Sequence, residues 1–554
     1  MGKLRTGAHA LALLCGLASC GDDGGVAPEP TGTTSGDTGG DSSGNGALDS
    51  SGTTAQDRGS TGEPGDSSST GEPDGPAYPE PDAHPPSVGP GGPAVEFAPE
   101  DLYINCAFLH GGKGDLDHHN LVVMFDGYLM MPWAPEWGSG GLTFFDISDP
   151  CNALPLSSTP GPGMRETHAT GFAQVDDRWY AVVAAVDFGL LNVDGGIMIW
   201  DVTNVVAPEE VAVLNLPGHL YPDAYARVVL SAAWQAPYIY VGAADNGIYI
   251  VDASDPTQPE LAGQYNFQPT MRVGQVNVVG NMLIATAAEG PRTVLLDVSV
   301  PEFPQPIAGG DFEIVDSEGA IRESYFSNVG GGYVYYAIKN GNGGMMMYDI
   351  HDPASPVLAG HYDSGGNGGY VFAKDGLAVV GESSFAGVYD ISDPAAITQV
   401  TTLDLEGDLD TATPIGNVVV LSVDDEGTPG EGSAVAPLLT EVDAVPPHVN
   451  WSVPADGATD LPVTTRVGVT FNEMVDVKSA WFGSVRLYRQ GDDGEPIPVT
   501  GHISVQENVV NFVPETPLNP GTEYTFEIPA GGVADYNGNR IAEPFSITIT
   551  TIGG

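Results

Sequence analysis

Gly247-Ile248-Tyr249-Ile250-Val251-Asp252-Ala253-Ser254-Asp255-Pro256 is the clearest of six related stretches in this chain. The others begin at Gly141, Gly196, Arg292, Gly344 and Phe385. Each is an apolar run closed by Asp, usually with Ser or Thr two places on, and in most copies an Asp-Pro turn follows. The closing residues are Asp146, Asp201, Asp252, Asp297, Asp349 and Asp390, 41 to 55 residues apart. That period accommodates one four-stranded sheet, the repeating unit of a β-propeller.

Working outward from each Asp, the same order recurs: a short apolar strand, a turn, a Tyr- or Val-rich strand, a Gly-rich turn, the Asp-ended strand and a fourth strand. In the third unit the spacing predicts strands over Arg227–Leu230, Tyr238–Val241, Ile248–Asp252 and Pro259–Gly263. In the fourth it predicts Val276–Val279, Met282–Thr286, Thr293–Asp297 and Gln305–Gly309. No helix-length periodic segment intervenes, which argues for all-β repeats. A degenerate seventh unit follows, with strands at Val418–Val423 and Ser433–Leu439, as terminal repeats are commonly atypical. Asp101–Leu109 is placed to supply the outer strand of that last blade and close the ring. The expected fold is therefore all-β: a seven-bladed β-propeller over 96–440, then a small Ig-like β-sandwich over 441–554.

The third strands with their Asp-Pro turns resemble the LVIVD repeat of secreted and surface proteins in bacteria and archaea, over roughly 118 to 440. The second copy departs from it with Asn204 at the turn and no adjacent Pro, the fourth with Val300. The resemblance implies a propeller and no single activity. Beyond the break at Glu441, Val453-Pro454-Ala455-Asp456-Gly457-Ala458, Val469-Thr470-Phe471-Asn472-Glu473-Met474-Val475, Leu518-Asn519-Pro520-Gly521-Thr522-Glu523-Tyr524 and Asp535-Tyr536-Asn537-Gly538-Asn539 resemble the bacterial Ig-like domain of the SbsA surface-layer type. That resemblance implies a spacer or adhesive module.

The chain's 73 acids against 17 bases give a net charge of -56, which repels nucleic acid and anionic lipid and excludes both as expected partners. Residues 1–20 read as a targeting segment: Lys3 and Arg5, a mostly apolar run from Ala8 to Leu17, then Leu17-Ala18-Ser19-Cys20. This resembles a bacterial lipoprotein signal, which implies cleavage before Cys20 and acylation of its thiol. A lipid anchor in the bacterial cell envelope, at the outer membrane or cell surface, is the expected location. Residues 21–95 are Gly, Ser, Thr, Asp and Pro almost throughout, too polar to offset ordering entropy, and read as a disordered tether. Cys106 and Cys151 then remain, and in an oxidising compartment they are expected to pair as a disulfide, with two buried thiols as the alternative.

The repeated Asp residues suit backbone-capping turns, because one copy per blade cannot converge on one ion. A better candidate site emerges from the segments before each first strand, which ring a propeller's opening. They carry His118, His119, Arg165, Glu166, His168, Tyr221, Asp223, Tyr225, Arg227, Arg272, Arg322, Glu323, Tyr325, Tyr370, Asp408 and Asp410. Arg165, His168, Arg227, Arg272 and Arg322 are the candidate ligand-binding residues, since Arg offers a planar fork to carboxylates or phosphates. The alternative is that these arginines pair with nearby acids to hold the ring together. His118, His119 and His168 have no metalloenzyme spacing, and no cofactor is expected. Asp535-Tyr536-Asn537-Gly538-Asn539 has a faint likeness to a calcium loop, with an Asx turn favoured. No nucleophile elbow, phosphate loop or His-Glu-X-X-His is present. The leading expectation is non-enzymatic binding of an extracellular protein or glycan at the propeller mouth. A hydrolase or lyase at that mouth and a structural envelope component are the alternatives.

Overall fold

The structure, a computed structural model, describes residues 78–81, 87–112, 119–134, 140–187, 194–218, 229–339, 342–424 and 427–554. Cys20 with the signal segment, the tether as far as residue 77, His118, Tyr221, Asp223, Tyr225 and Arg227 lie outside these residues. Among the described residues no helix is long and apolar enough to cross a membrane.

Six four-stranded antiparallel sheets, and four strands of an eight-stranded one, form seven blades, whose first strands begin at Val123, Gly171, Ser231, Val273, Glu323, Val371 and Thr411. First strands of blades 2 to 7 touch in succession around the axis. In the third blade Tyr240 pairs with Ile250, and Ile250 with Gly263. The first strand there is Ser231–Gln235, four residues later than expected. Its register is fixed by the two-residue turn Ala236-Pro237, which sets Gln235 opposite Tyr238. The apolar Val229 and Leu230 are buried just ahead of it. The fourth blade's strands run Val273–Val279, Met282–Ala287, Arg292–Asp297 and Gln305–Glu313.

The opening motif makes a turn in every copy. Asp252 Oδ1 accepts from Ser254 N–H at 2.9 Å and from its hydroxyl at 2.6 Å, and Asp255 Oδ1 accepts from Thr257 N–H at 2.9 Å. Asp146, Asp201, Asp297, Asp349 and Asp390 accept the N–H two residues on in the same way. Each of the six motifs carries a register shift between its third and fourth strands, at Phe144/Phe145, Ile199/Trp200, Ile250/Val251, Val294/Leu296, Met347/Tyr348 and Val388/Tyr389. Such bulges strengthen the local twist that splays outer from inner strands.

The seventh blade is Thr411–Ile415, Val418–Ser422, Ser433–Pro437 and the N-terminal strand Ala107–Phe108, with Ala107 opposite Val435. N- and C-terminal segments thus close the ring together. Apolar clusters fill the spaces between blades, for example Trp234, Val241 and Tyr249 against Val182 and Ile199. The C-terminal sandwich has one sheet built from Val449–Val453, Val467–Phe471, Val509–Pro514 and Gly501–Gln506, and a second built from Ala458–Leu461, Phe545–Thr551, Glu523–Ile528, Arg486–Gln490 and Pro496–Pro498. Its first sheet continues without a break into the second blade.

Candidate functional site

The segment before each first strand arrives at one end of the ring. Five blades send buried polar or aromatic side chains there: Asn120 from blade 1, Glu166 and His168 from blade 2, Tyr325 and Phe326 from blade 5, Tyr370 from blade 6, and Asp410 and Thr411 from blade 7. The His168 ring stacks on Phe326 at 5.1 Å, and Phe326 stacks on Tyr370 at 4.3 Å and 8°. His168 Nδ1 meets the Tyr370 hydroxyl in a short hydrogen bond and lies 3.2 Å from Asn120 Nδ2 and 3.8 Å from Glu166 Oε1. Asn120 Nδ2 donates in turn to Glu166 Oε1, and the Thr411 hydroxyl donates to Asn120 Oδ1 at 3.4 Å. One hydrogen-bonded group therefore ties blades 1, 2, 6 and 7 together.

Beside it stands a buried charge group. Lys339 ends the second strand of blade 5, with its ammonium 4.3 Å above the Tyr325 ring. Burial pushes the Asp410 carboxyl well above the ordinary carboxylate range; the Lys339 ammonium opposes this, while Asp408, Asp424 and Glu166 add to it. Asp410 Oδ1 and Asp408 Oδ1 are buried without a hydrogen-bond partner. The grouping combines a histidine, a tyrosine hydroxyl, carboxylates and stacked aromatic faces. That is enough to hydrogen-bond and stack on a sugar or peptide, and enough for proton transfer.

The candidate residues divide. Arg165 and His168 are buried at this end of the ring, at 4% and 7% exposure. Arg272 and Arg322 are not part of the inner group. Arg272 pairs with Glu289 at 3.1 Å, and Arg322 pairs with Asp316 at 2.6 Å and Asp363 at 3.3 Å. Both serve the ring's own acids. Arg227 lies outside the described residues. Residues missed in the sequence are Asn120, Phe326, Lys339 and Thr411. Asn120 follows His119 in the same register, and Lys339 is a lone cation ending an apolar strand; either signal was readable.

Two carboxylate groups have ligand-like spacing. Among Asp375, Asp443 and Glu473, the Lys374 ammonium already sits 2.8 Å from Asp375 and 2.6 Å from Asp443, and bonds to Glu473. Asp316, Glu318 and His361 share their space with the Arg322 guanidinium. In the calcium-like loop, Asp535 Oδ1 accepts from the N–H groups of Asn537 and Asn539 at 2.8 Å, and Oδ2 accepts from Asn539 Nδ2. Its oxygens are committed to an Asx turn.

Family comparisons match residues 236–267 and 328–364 to the LVIVD repeat, and residues 443–551 to the bacterial Ig-like domain. Two stretches of this propeller therefore carry LVIVD repeats, and its C-terminal region carries a bacterial Ig-like domain. No curated protein matches it. Among solved structures, the periplasmic gluconolactonase PpgL of Pseudomonas aeruginosa aligns at 9% identity and TM-score 0.41, over 56% of this chain and 85% of that one. The WD40 propeller domain of Doa1 aligns at 11% and 0.39, over 60% and 95%. The computationally designed Ika8 protein aligns at 14% and 0.38, over 60% and 99%.

Proposed function

We propose that this LVIVD-repeat protein is a lipid-anchored component of the bacterial cell envelope that binds an extracellular protein or glycan at the propeller mouth. The observation that carries the reading is the inner group itself. His168, Glu166, Asn120, Tyr370 and Asp410 come from four blades and meet around stacked aromatic rings, with one oxygen each of Asp408 and Asp410 lacking a hydrogen bond. A ring held together by packing alone has no use for buried carboxylate oxygens that lack a hydrogen bond, which are costly. Arg272 and Arg322, each committed to carboxylates, support a structural role for the rim and move the binding site inward. Acylation at Cys20 and the polar tether supply the address.

The test is a thermal-shift screen of the mature chain against neutral, acidic and amino-bearing glycans and short peptides. A ligand is expected to raise the melting temperature of the wild type and of Arg272→Ala, and to lose that effect in His168→Ala and Asp410→Asn. A shift that persists in both inner variants removes the site from the mouth. In cells, Cys20→Ser is expected to release the protein from membranes; full retention contradicts the anchor. The contact of His168 with Tyr370 and its 3.8 Å approach to Glu166 favour a second reading, a hydrolase or lyase at the same place, since acid–base chemistry uses these groups. Turnover of a screened glycan, abolished in His168→Ala, distinguishes it from binding alone.

A further inference from the structure

The first strand of a propeller blade has a sheet partner on one side only. Its other backbone edge faces the axis, where an unpaired N–H or C=O away from water is costly. Here the Ig-like domain supplies partners along that edge. In blade 2 the pairing is a full strand addition: Ile503, Ser504 and Val505 lie opposite Gln174, Ala173 and Phe172. In blade 4, Asn511 Nδ2 donates to Val278 O at 2.9 Å and Gln506 Nε2 to Val276 O at 3.2 Å. In blade 5, Asn508 Nδ2 donates to Val329 O at 2.9 Å. Val276 lies midway along its strand, so the hairpin carrying Gln506 and Asn508 reaches well into the ring rather than resting on it.

The same domain also takes up the turns between first and second strands. It accepts the N–H of Gly127 on Asp476 Oδ2 at 3.0 Å, of Ala236 on Ser504 Oγ at 2.9 Å and of Gly280 on Asn511 Oδ1 at 2.8 Å. It accepts that of Gly331 on Asn450 Oδ1 at 3.0 Å and of Asp375 on Asn472 O at 3.1 Å. At blade 7 the Asn537 side chain lies so near Gly416 that a Cβ there would meet Oδ1 at 2.0 Å. Every blade is met, mostly by residues of its own, although Ser504 serves both blades 2 and 3. Gly280 and Gly468 are apposed so tightly that a Cβ on either would strike backbone at about 2 Å. Phe471, Phe512 and Val505 of the Ig-like core belong to one apolar cluster with Phe172, Phe326 and Phe372 of the propeller.

We infer that the Ig-like domain is the axial plug of this propeller: it closes the ring at the hairpin face, completes blade 2, and has its own propeller as its binding partner. It is not a spacer or a free adhesive module. Seven dissimilar contacts from one asymmetric domain are what a dedicated stopper for a near-symmetric ring requires. Glu166, His168, Tyr370 and Asp410 precede their first strands and so lie toward the other end of those strands. This inference does not rest on the ligand reading.

The test uses the mature full chain. Calorimetry is expected to show propeller and Ig-like domain unfolding in one transition; two separated, independent transitions overturn the plug. In hydrogen exchange, Ser504→Ala/Asn511→Ala is expected to speed exchange about tenfold or more at the Ala236 and Gly280 amides. Ile250 in the third strand of its blade and Leu487 in the far Ig-like sheet are expected to keep wild-type protection. Unchanged exchange at Ala236 and Gly280 overturns the inference. Should Leu487 also lose protection, Arg466→Ala replaces the double variant. The Arg466 guanidinium is buried against Val298 O, outside the Ig-like core, and the same two outcomes are read at Gly280 and Asn281.

Discussion

Lysine is rare in this chain, and each lysine described sits where acids are buried. Lys339 faces Asp410 at the mouth, Lys374 neutralises Asp375, Asp443 and Glu473, and Lys478 pairs with Asp126 at 2.9 Å. The last two join propeller to Ig-like domain. A cation at such a place is worth more than one on the surface, because removing it strands several carboxylates out of water. Lys374→Met is therefore expected to cost roughly 3 kcal/mol of unfolding free energy. By contrast Asp252→Ala, which removes one exposed Asx turn, is expected to cost about 1 kcal/mol. Denaturant titration of both variants checks the order; equal losses would mean the seam is no more than a surface ion pair. The arginines left two sequence readings open, ligand binding and pairing within the ring, for a related reason. They stand out by composition in an acidic chain, yet composition cannot distinguish a guanidinium offered to a ligand from one held by its neighbours. Arg322, bonded to Asp316 and Asp363, is the second kind.

At the scale of elements, the hairpin tip that enters the ring carries Glu507, 4% exposed and left-handed at φ +55°, bonded by Asn328 Nδ2. Burial pushes its carboxyl up to about 7, against the Asn328 hydrogen bond. Burial likewise raises Glu473 to about 8 and Asp476 to about 6 on the same face. A carboxyl whose folded pKa lies above its unfolded value binds more protons when folded. Its contribution is complete below about pH 4 and is lost as the pH climbs through the folded value. The docked state should therefore weaken between about pH 5 and pH 8. Glu507→Gln keeps the shape and the Asn328 contact without the charge. It is expected to match wild type at pH 5 and to exceed it by roughly 2 kcal/mol at pH 8; a gain that is the same at both pH values refutes the assignment. The blades themselves were legible because each repeats one pattern of apolar run, Asp and turn. Glu523–Ile528 and Val467–Phe471 overlap stretches that carry the Ig-like resemblance. The docking was not legible, because Gln506, Asn508 and Asn511 bind backbone atoms, and a backbone edge leaves no residue pattern to match.

At the scale of the whole molecule, ring closure has a covalent option. Cys106, bonded through its N–H to Val435 O in blade 7, lies against Cys151 in the turn of blade 1. The two are free thiols here, and burial together with the Cys151 contact pushes the Cys106 thiol up. Oxidised glutathione is expected to join them, each bond formed consuming one disulfide and releasing two glutathione thiols. The cross-link would then stabilise the chain by about 4 kcal/mol on the loop-entropy scale. A Cys20→Ser chain made without residues 1–19, and so without Cys15, should lose both titratable thiols and gain melting temperature, reversibly with dithiothreitol and not in Cys151→Ser; two thiols still titrating after oxidation would rule the bond out.

The pairing of Ala107 with Val435 also bears on how the molecule comes into being. Synthesis delivers the chain from its N-terminus, so the strand that seals blade 7 is made first and must wait for nearly the whole propeller. Gly171–Val175 waits longer still, for Gly501–Gln506. Asn417 similarly reaches back 322 residues to Val95. Closing such long loops comes late and depends on everything between. A nascent chain therefore has no finished resting point before the last domain arrives, and until then it must be shielded from association through its open strand edges.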